Sequence, residues 1–275
     1  MTKGCQVSAA CAVMNRSRQS YYRLIQSRMK KEADHKKLSE LVAPIRRLMP
    51  RLGGRKLRHL LKEEMAENAI KIGRDRFFDW LREQDLLVKP KRHYIHTTQS
   101  NHRFWVYSNL VKDVQMSAPN QLWVSDITYL RTREGFCYLA LITDAYSRKI
   151  VGYDVSDSLE LEGCRRALDM AIQTASNLDQ LIHHSDRGIQ YCSNQYTGML
   201  HQKGIKISMA AKGDCYENAL AERVNGILKD EFNLDQMFHS KYHAAQSVHQ
   251  SIYIYNQHRP HWAIDLQTPN QRHAA

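Results

Sequence analysis

Three acidic residues sit where acids are costly or face a ligand, and their surroundings suggest chemistry at phosphorus. Asp126 lies within residues 121–130, Gln-Leu-Trp-Val-Ser-Asp-Ile-Thr-Tyr-Leu, a run rich in strand formers. A carboxylate there is unfavourable unless it is paired, hydrogen-bonded or metal-bound. Asp186 follows the apolar run that begins at Leu181, at a strand-to-loop edge where open α/β sheets bind ligands. Glu222 falls early in a helix expected from about residue 218 to 232, with Asn218 as its N-cap. Asn225, Gly226 and Lys229 follow at +3, +4 and +7 and share its face. Such a stripe suits a site that grips a metal and a phosphate together. Converging carboxylates repel and raise at least one pKa, a conflict that divalent cations resolve. Hard oxygen donors select magnesium or manganese. Two ions about 4 Å apart activate an attacking hydroxyl and stabilise the leaving oxygen of an in-line displacement. Attack by water nicks a strand; attack by a DNA 3′-hydroxyl joins one.

Other groups compete for these roles and fit them less well. Asp144 also follows an apolar run, but its neighbours Ser147 and Arg148 indicate a turn, where Asp is commonly structural. Glu217 precedes the helix and Glu231 lies near its end. His183 and His184 are expected as one buried and one hydrogen-bonding histidine. Tyr253, Tyr255 and Trp262 read as packing or partner-contact residues rather than base-stacking ones. No G-x-S-x-G nucleophile elbow is present, so a Ser–His–Asp hydrolase is poorly supported.

The elements that must hold the acids alternate. Strands are expected at residues 121–130, 136–143, 149–155, 181–184 and 205–209. Helices are expected at 159–175, near 195–203 and at 218–232, giving a mixed α/β sheet. Ahead of them the pattern is helical. One helix spans residues 7–14, and a second spans 19–28 behind Ser17 as N-cap. A third carries Leu38, Leu41, Val42, Ile45 and Leu48. Two more follow the Gly53-Gly54 turn, the last spanning 74–86 and burying Phe77, Phe78, Trp80 and Leu81.

Charge divides the chain in the same place. Residues 1–118 hold 25 Lys and Arg against 11 Asp and Glu, a net of +14, whereas residues 119–275 hold 15 against 17. The basic helices invite DNA, with Arg55, Lys56, Arg58, Arg74 and Arg76 as the expected contacts. A basic bundle that binds protein is the competing reading. No apolar run approaches the roughly 18 residues of a membrane span, and no secretory signal is visible. The six cysteines form no CxxC pair, which suits a reducing cytoplasm better than a disulfide or zinc framework.

Between Asp186 and Glu222 lie 35 residues, the interval of the DD(35)E transposases and retroviral integrases. The words around the acids resemble one branch, the integrase-core reading frame of bacterial insertion-sequence family three. They are Trp-Val-Ser-Asp-Ile-Thr-Tyr from Trp123, Asp-Ala-Tyr-Ser-Arg-Lys-Ile-Val-Gly from Asp144 and His-Ser-Asp-Arg-Gly-Ile-Gln-Tyr from His184. Asn218-Ala-Leu-Ala-Glu222 with Lys229, Tyr255-Asn-Gln-His-Arg-Pro-His261 and Thr268-Pro269 complete the set. Glu217 departs from the pattern, which usually has Asp there.

The resemblance implies an RNase H-like integrase catalytic core over residues 119–275 with a C-terminal helical extension. A linker at 96–118, a basic helix-turn-helix-like DNA-binding region at 31–95 and an N-terminal helical segment at 1–30 precede it. It implies that Asp126, Asp186 and Glu222 bind Mg2+ or Mn2+, two ions, and catalyse end cleavage and strand transfer, and that Lys229 contacts terminal DNA. The partners it implies are double-stranded DNA, further copies of the chain on that DNA, and an upstream-frame protein (OrfA). The competing functions are a plain nuclease of the same fold and a DNA-binding regulator or relic without catalysis.

Overall fold

Apolar alternation and β-branched residues between residues 122 and 156 form a three-stranded meander that the later elements of the same unit extend and cover. The computed structural model describes residues 6–89, 104–112, 114–211 and 218–275. The chain divides into two units, residues 1–48 with 52–88, and residues 49–51 with 89–275.

The first unit is helical: α1 (Val7–Val13), α2 (Arg18–Leu48), α3 (Gly54–Leu60), α4 (Lys62–Glu67) and α5 (Arg74–Glu83). Ser17 accepts the Ser20 N–H at 3.1 Å and caps α2, as its position in the sequence suggests. The two helices expected at 19–28 and around Leu38–Leu48 are instead one helix of 31 residues. Residues 29–37 contain Met, Lys, Glu and Ala but no Gly or Pro, so nothing stops the helix there. Arg28–Glu32 and Lys37–Glu40 pairs at 3.2 and 3.3 Å support it along the surface. The division expected at residues 30 and 31 therefore falls inside α2. Leu38, Val42, Leu52, Leu57, Leu61, Phe77, Trp80 and Leu81 are buried in this unit.

The second unit contains β1 (Leu122–Thr132), β2 (Gly135–Asp144), β3 (Ile150–Ser156), α6 (Leu161–Thr174), β4 (Ile182–Ser185), α7 (Ile189–Cys192), α8 (Asn194–Gln202) and β5 (Lys206–Met209). After these come α9 (Ala219–Glu231), β6 (Met237–Phe238), α10 (Lys241–His258), a 3-10 turn at Trp262–Ile264 and α11 (Pro269–Ala274). The sheet order is β3-β2-β1-β4-β5, with β1–β2 and β2–β3 antiparallel and β1–β4 and β4–β5 parallel. A sixth strand joins the five expected ones: β6, two residues long, pairs with Arg131 and Thr132 at the far end of β1.

The two faces of β1 meet different layers. Trp123 enters a core that includes Ala167, Leu168 and Ala171 of α6 and Tyr196 and Leu200 of α8. Leu122 and Val124, of opposite parity, pack with Ala145 and with Ala221 of α9. Close approach of α6 to β3 depends on Gly152, where a Cβ would lie 2.1 Å from the Ala167 carbonyl oxygen.

Candidate active site

Backbone register brings two of the acids together. The β1–β4 ladder ends with Ser125 opposite Ser185, so Asp126 of β1 and Asp186, the first residue beyond β4, each follow the last paired residue. Adjacent strands lie roughly 4.8 Å apart, which leaves the two carboxylates as neighbours. Asp186 is shaped by the turn that follows: its Oδ1 accepts the Gly188 N–H at 2.9 Å. A Cβ on residue 188 would come within 3.0 Å of that oxygen.

Asp126 shares the parity of Leu122 and Val124 and so faces the α9 side. Asn225, buried at 6 % exposure, donates from Nδ2 to Asp126 Oδ2 at 2.8 Å. Asn218 does not cap α9 with its side chain; its Nδ2 donates to the Ser125 carbonyl at 3.2 Å. Two amides thus pin α9 to β1 on either side of Glu222. Glu222 itself is exposed on the first turn of α9.

The electrostatics follow from this crowding. Burial and the Asp186 charge raise the Asp126 pKa to about 7 against the Asn225 hydrogen bond, and the Glu222 charge adds a smaller increase. Glu222 is therefore within electrostatic reach of Asp126. Among the described residues, however, no three His, Cys, Asp or Glu side chains close into a ready-made ion cage. The donor set fits a hard divalent cation nonetheless: one carboxylate within β1 and another just beyond β4, a third acid on the facing helix, and a half-buried charge that a cation would stabilise. Asn218 and Asn225 also hold buried Oδ1 atoms without a hydrogen-bond partner beside these acids.

Behind Asp126, on the other face of β1, Ser125 Oγ lies 2.7 Å from His183 Nε2, which is also 3.0 Å from the Tyr196 hydroxyl. Burial, then the adjacent His184, lowers the His183 pKa to about 3, so the ring is neutral. His184 bonds Ser208 Oγ through Nδ1 at 2.8 Å. Both histidines are buried and both are hydrogen-bonded, where one of each kind was expected. Asp144 is buried in its turn and accepts from Asn120 N, Ser147 N and Ser147 Oγ at 2.6–2.8 Å.

Lys229 is half-buried, its Nζ 4.5 Å from the centroid of the Tyr129 ring. Burial lowers its pKa, opposed by Asp235 and Asp126. The other expected DNA contacts lie in the helical unit. Arg55 and Arg76 are exposed, and Arg74 is exposed and paired with Asp75 at 2.8 Å. Arg58 is half-buried, with a long 3.4 Å bond to the Ile72 carbonyl. Lys56 differs from its expected place on a polar side: it is 8 % exposed, because α3 buries it together with Leu57. Sequence reasoning placed Asn225 on the stripe of Glu222 without a partner, and gave Asn218 only a capping role. Their visible signal was two amides recurring with Glu222 and Lys229 at helical spacing.

The chain is similar to known proteins over both its halves. The integrase core domain family matches residues 116–215, and a second integrase core domain family matches residues 203–269. An uncharacterized 31 kDa protein of insertion element IS600 from Shigella sonnei is 40% identical over 256 residues, 91% of this chain and 92% of its own length. The chain belongs to the insertion-sequence family-three transposases of the DDE superfamily. The IS3A transposase InsF of Escherichia coli is 40% identical over 152 residues, 55% of this chain and 53% of that protein. A putative transposase of IS986/IS6110 from Mycobacterium tuberculosis is 44% identical over 119 residues, 42% of this chain and 43% of that protein. Among solved structures, a simian T-cell lymphotropic virus intasome in complex with a PP2A regulatory subunit superposes with a TM-score of 0.51 at 16% identity. That match covers 81% of this chain and 71% of the other, and shows a common fold. The transposase family is a class of DNA-cleaving and strand-transferring enzymes that use divalent metal. Among the described residues no helix is long and apolar enough to cross a membrane.

Proposed function

We propose that this transposase cuts and joins the ends of its insertion sequence with Asp126, Asp186 and Glu222 as the metal-holding catalytic acids. The observation that supports the assignment is that Asp126 and Asp186 each follow the last pair of the β1–β4 ladder while Asn225 fastens the Glu222 helix to Asp126. Magnesium or manganese, as two ions, supplies Lewis-acid activation of the attacking hydroxyl and charge stabilisation at the leaving oxygen. The protein's own work is positioning. Strand pairing holds Asp126, the Gly188 N–H holds Oδ1 of Asp186 just beyond β4, and Asn225 holds Oδ2 of Asp126 so that its other oxygen is presented. Lys229, seven residues beyond Glu222, supplies a cation for the terminal phosphates, with its stem desolvated against Tyr129.

The basic helical unit holds double-stranded DNA through Arg55, Arg74 and Arg76, with Arg58 and Lys56 set deeper. On this reading the protein acts in the bacterial cytoplasm as several copies on the element's ends, with an upstream-frame protein as a further partner. The test supplies purified protein, Mg2+ or Mn2+ and labelled duplex bearing the element's own ends. Joined products are expected. Nicks alone would indicate a nuclease, and a gel shift without products a binding regulator. Asp126→Asn is expected to abolish nicking and joining while DNA binding persists; activity retained in that variant would refute the assignment.

A further inference from the structure

Behind the acids lies a group of polar side chains that the proposed metal chemistry does not use. Ser125, His183 and Tyr196 are each at most 1% exposed, beside a core that includes Trp123, Leu168, Ala171 and Leu200. The Ser125 and Tyr196 hydroxyls converge on one nitrogen, His183 Nε2, at 2.7 and 3.0 Å. Buried polar groups are tolerated only when hydrogen-bonded, and an apolar trio would fill the same space without that requirement. What the hydrogen-bonded trio adds is geometry, because each bond constrains a direction as well as a distance. His183 is neutral near pH 7, so it brings no charge to the site.

The trio grips the chain around the acids. Ser125 immediately precedes Asp126. On the β1–β4 ladder it is the diagonal neighbour of His183, since Ser125 pairs with Ser185 and Trp123 with His183. His183 precedes Asp186 by three residues and Tyr196 follows it by ten, so their bond joins β4 to α8 across the Asp186 turn. Tyr191, inside that loop, sets its ring 6.2 Å from His183 and 5.4 Å from Tyr196, centroid to centroid. A Cβ on Gly188, whose N–H holds Asp186 Oδ1, would lie 3.6 Å from the Tyr191 ring, so the turn rests on the same aromatic group. The Ser125 carbonyl meanwhile accepts from Asn218, at the head of the Glu222 helix. Ser125 is thus bonded to the segments that lead into Asp186 and Glu222 and is itself the residue before Asp126.

We infer that Ser125, His183 and Tyr196 are positioning residues that together hold Asp126 and Asp186 at one spacing, and that this spacing favours Mg2+ over larger cations. Mg2+ demands near-ideal octahedral geometry at about 2.0–2.1 Å, whereas Ca2+ accepts about six to eight oxygens at about 2.3–2.6 Å in flexible arrangements. A loosened pair of acids therefore loses Mg2+ first. The inference rests on the metal-site reading above and adds what sets its ion preference.

The test measures dissociation constants for Mg2+ alone and for Ca2+ alone, by calorimetry on the full-length protein without DNA and well below its melting temperature. Tyr196→Phe keeps the ring and deletes one hydroxyl; Ser125→Ala deletes the other. Each should weaken Mg2+ binding by about tenfold and Ca2+ binding by about twofold or less. The double variant should do little more than the worse single one, as residues acting through one nitrogen require. His183→Gln, which keeps a polar group at the end of its side chain, should retain more Mg2+ affinity than His183→Leu. A general loss of packing would instead lower both affinities alike, or only the melting temperature, and either result overturns the inference. So does a Mg2+ to Ca2+ ratio unmoved by both hydroxyl deletions. Asp126→Asn is the separate control: it should strongly weaken both ions, and unchanged binding there would overturn the metal-site reading together with this one.

Discussion

Replacing Asp126 by Asn should make the metal-free protein more stable while it abolishes catalysis. The Asp126 carboxyl stands at an ordinary 3.8 in the unfolded chain and about 7 in the fold, raised by burial first and by the Asp186 charge next. Below the unfolded value both states carry a neutral acid and the group costs nothing. As pH rises from about 4 to about 7, the unfolded chain releases its proton and the folded chain does not, so stability is progressively lost. Above about 7 the loss is complete. The difference is about 3 pKa units at roughly 1.4 kcal/mol each, an upper figure of about 4 kcal/mol. Water reaching the half-buried carboxylate reduces that to about 2–4 kcal/mol. Asn keeps the shape and an oxygen to accept from Asn225, and it removes the charge.

The assay is thermal or urea unfolding in a chelator at about pH 5 and about pH 8. The variant should melt above wild type at the higher pH, by about 2–4 °C for each kcal/mol in a chain of this size. The gap should shrink at the lower pH. Millimolar Mg2+ or Mn2+ should then raise the wild-type melting point and leave the variant's nearly unchanged. A variant no more stable than wild type at about pH 8 would refute the reasoning. So would a gap that does not grow with pH.

Asn225→Ala should weaken Mn2+ binding by about 10–100-fold in a calorimetric titration, since the amide orienting Asp126 is lost; unchanged affinity would deny it that role. Gly152→Ala forces a methyl within 2.1 Å of the Ala167 carbonyl oxygen, with backbone on both sides. It should cost about 3 kcal/mol or more in urea unfolding. Arg259 is 1 % exposed and donates from Nε and Nη2 to both Glu231 oxygens at 2.8 Å. Arg259→Ala should lose about 3–5 kcal/mol, and Arg259→Lys should recover only a minor part because a single ammonium cannot span both oxygens. The Asp144 pKa is lowered: burial pushes it up, but the nearby His273 and the Ser147 and Asn120 donors outweigh that. Its ionised form therefore stabilises the fold above the ordinary Asp range, and this is lost as pH falls through the lowered pKa. Asp144→Asn should destabilise at neutral pH, with a gap that closes in strong acid.

What the sequence revealed follows from how locally each feature is determined. The strands announce themselves through β-branched and apolar runs; the run at 121–130 placed Asp126 within a strand and the end of the run at 181–184 placed Asp186. The turn role of Asp144 was equally legible, because Ser147 three residues later supplies two of its donors. The continuity of α2 was obscured by its low hydrophobicity in the middle, where propensity and ion pairs carry the helix in place of an apolar stripe. The partners of Asn218 and Asn225 were hidden for a different reason. They depend on how α9 sits on β1, which is decided by Ala221 against Leu122, Val124 and Ala145, residues 76 or more positions away. Lys56 and Lys229 looked like solvent-facing cations because a helical projection shows a face and not the neighbour that covers it.

The same distinction separates the three acids. Asp126 and Asp186 each follow the last pair of a backbone ladder, whose hydrogen bonds are indifferent to side-chain identity. Glu222 is set by side chains: the two asparagine amides and the small Ala221 determine how closely its helix approaches. Holding all three carboxylates together in advance would add to the repulsion already raising Asp126. On the proposed assignment, an exposed Glu222 would add less to the charge already raising Asp126 than a buried one, while the amide bridge from Asn225 to Asp126 holds the Glu222 helix beside that strand.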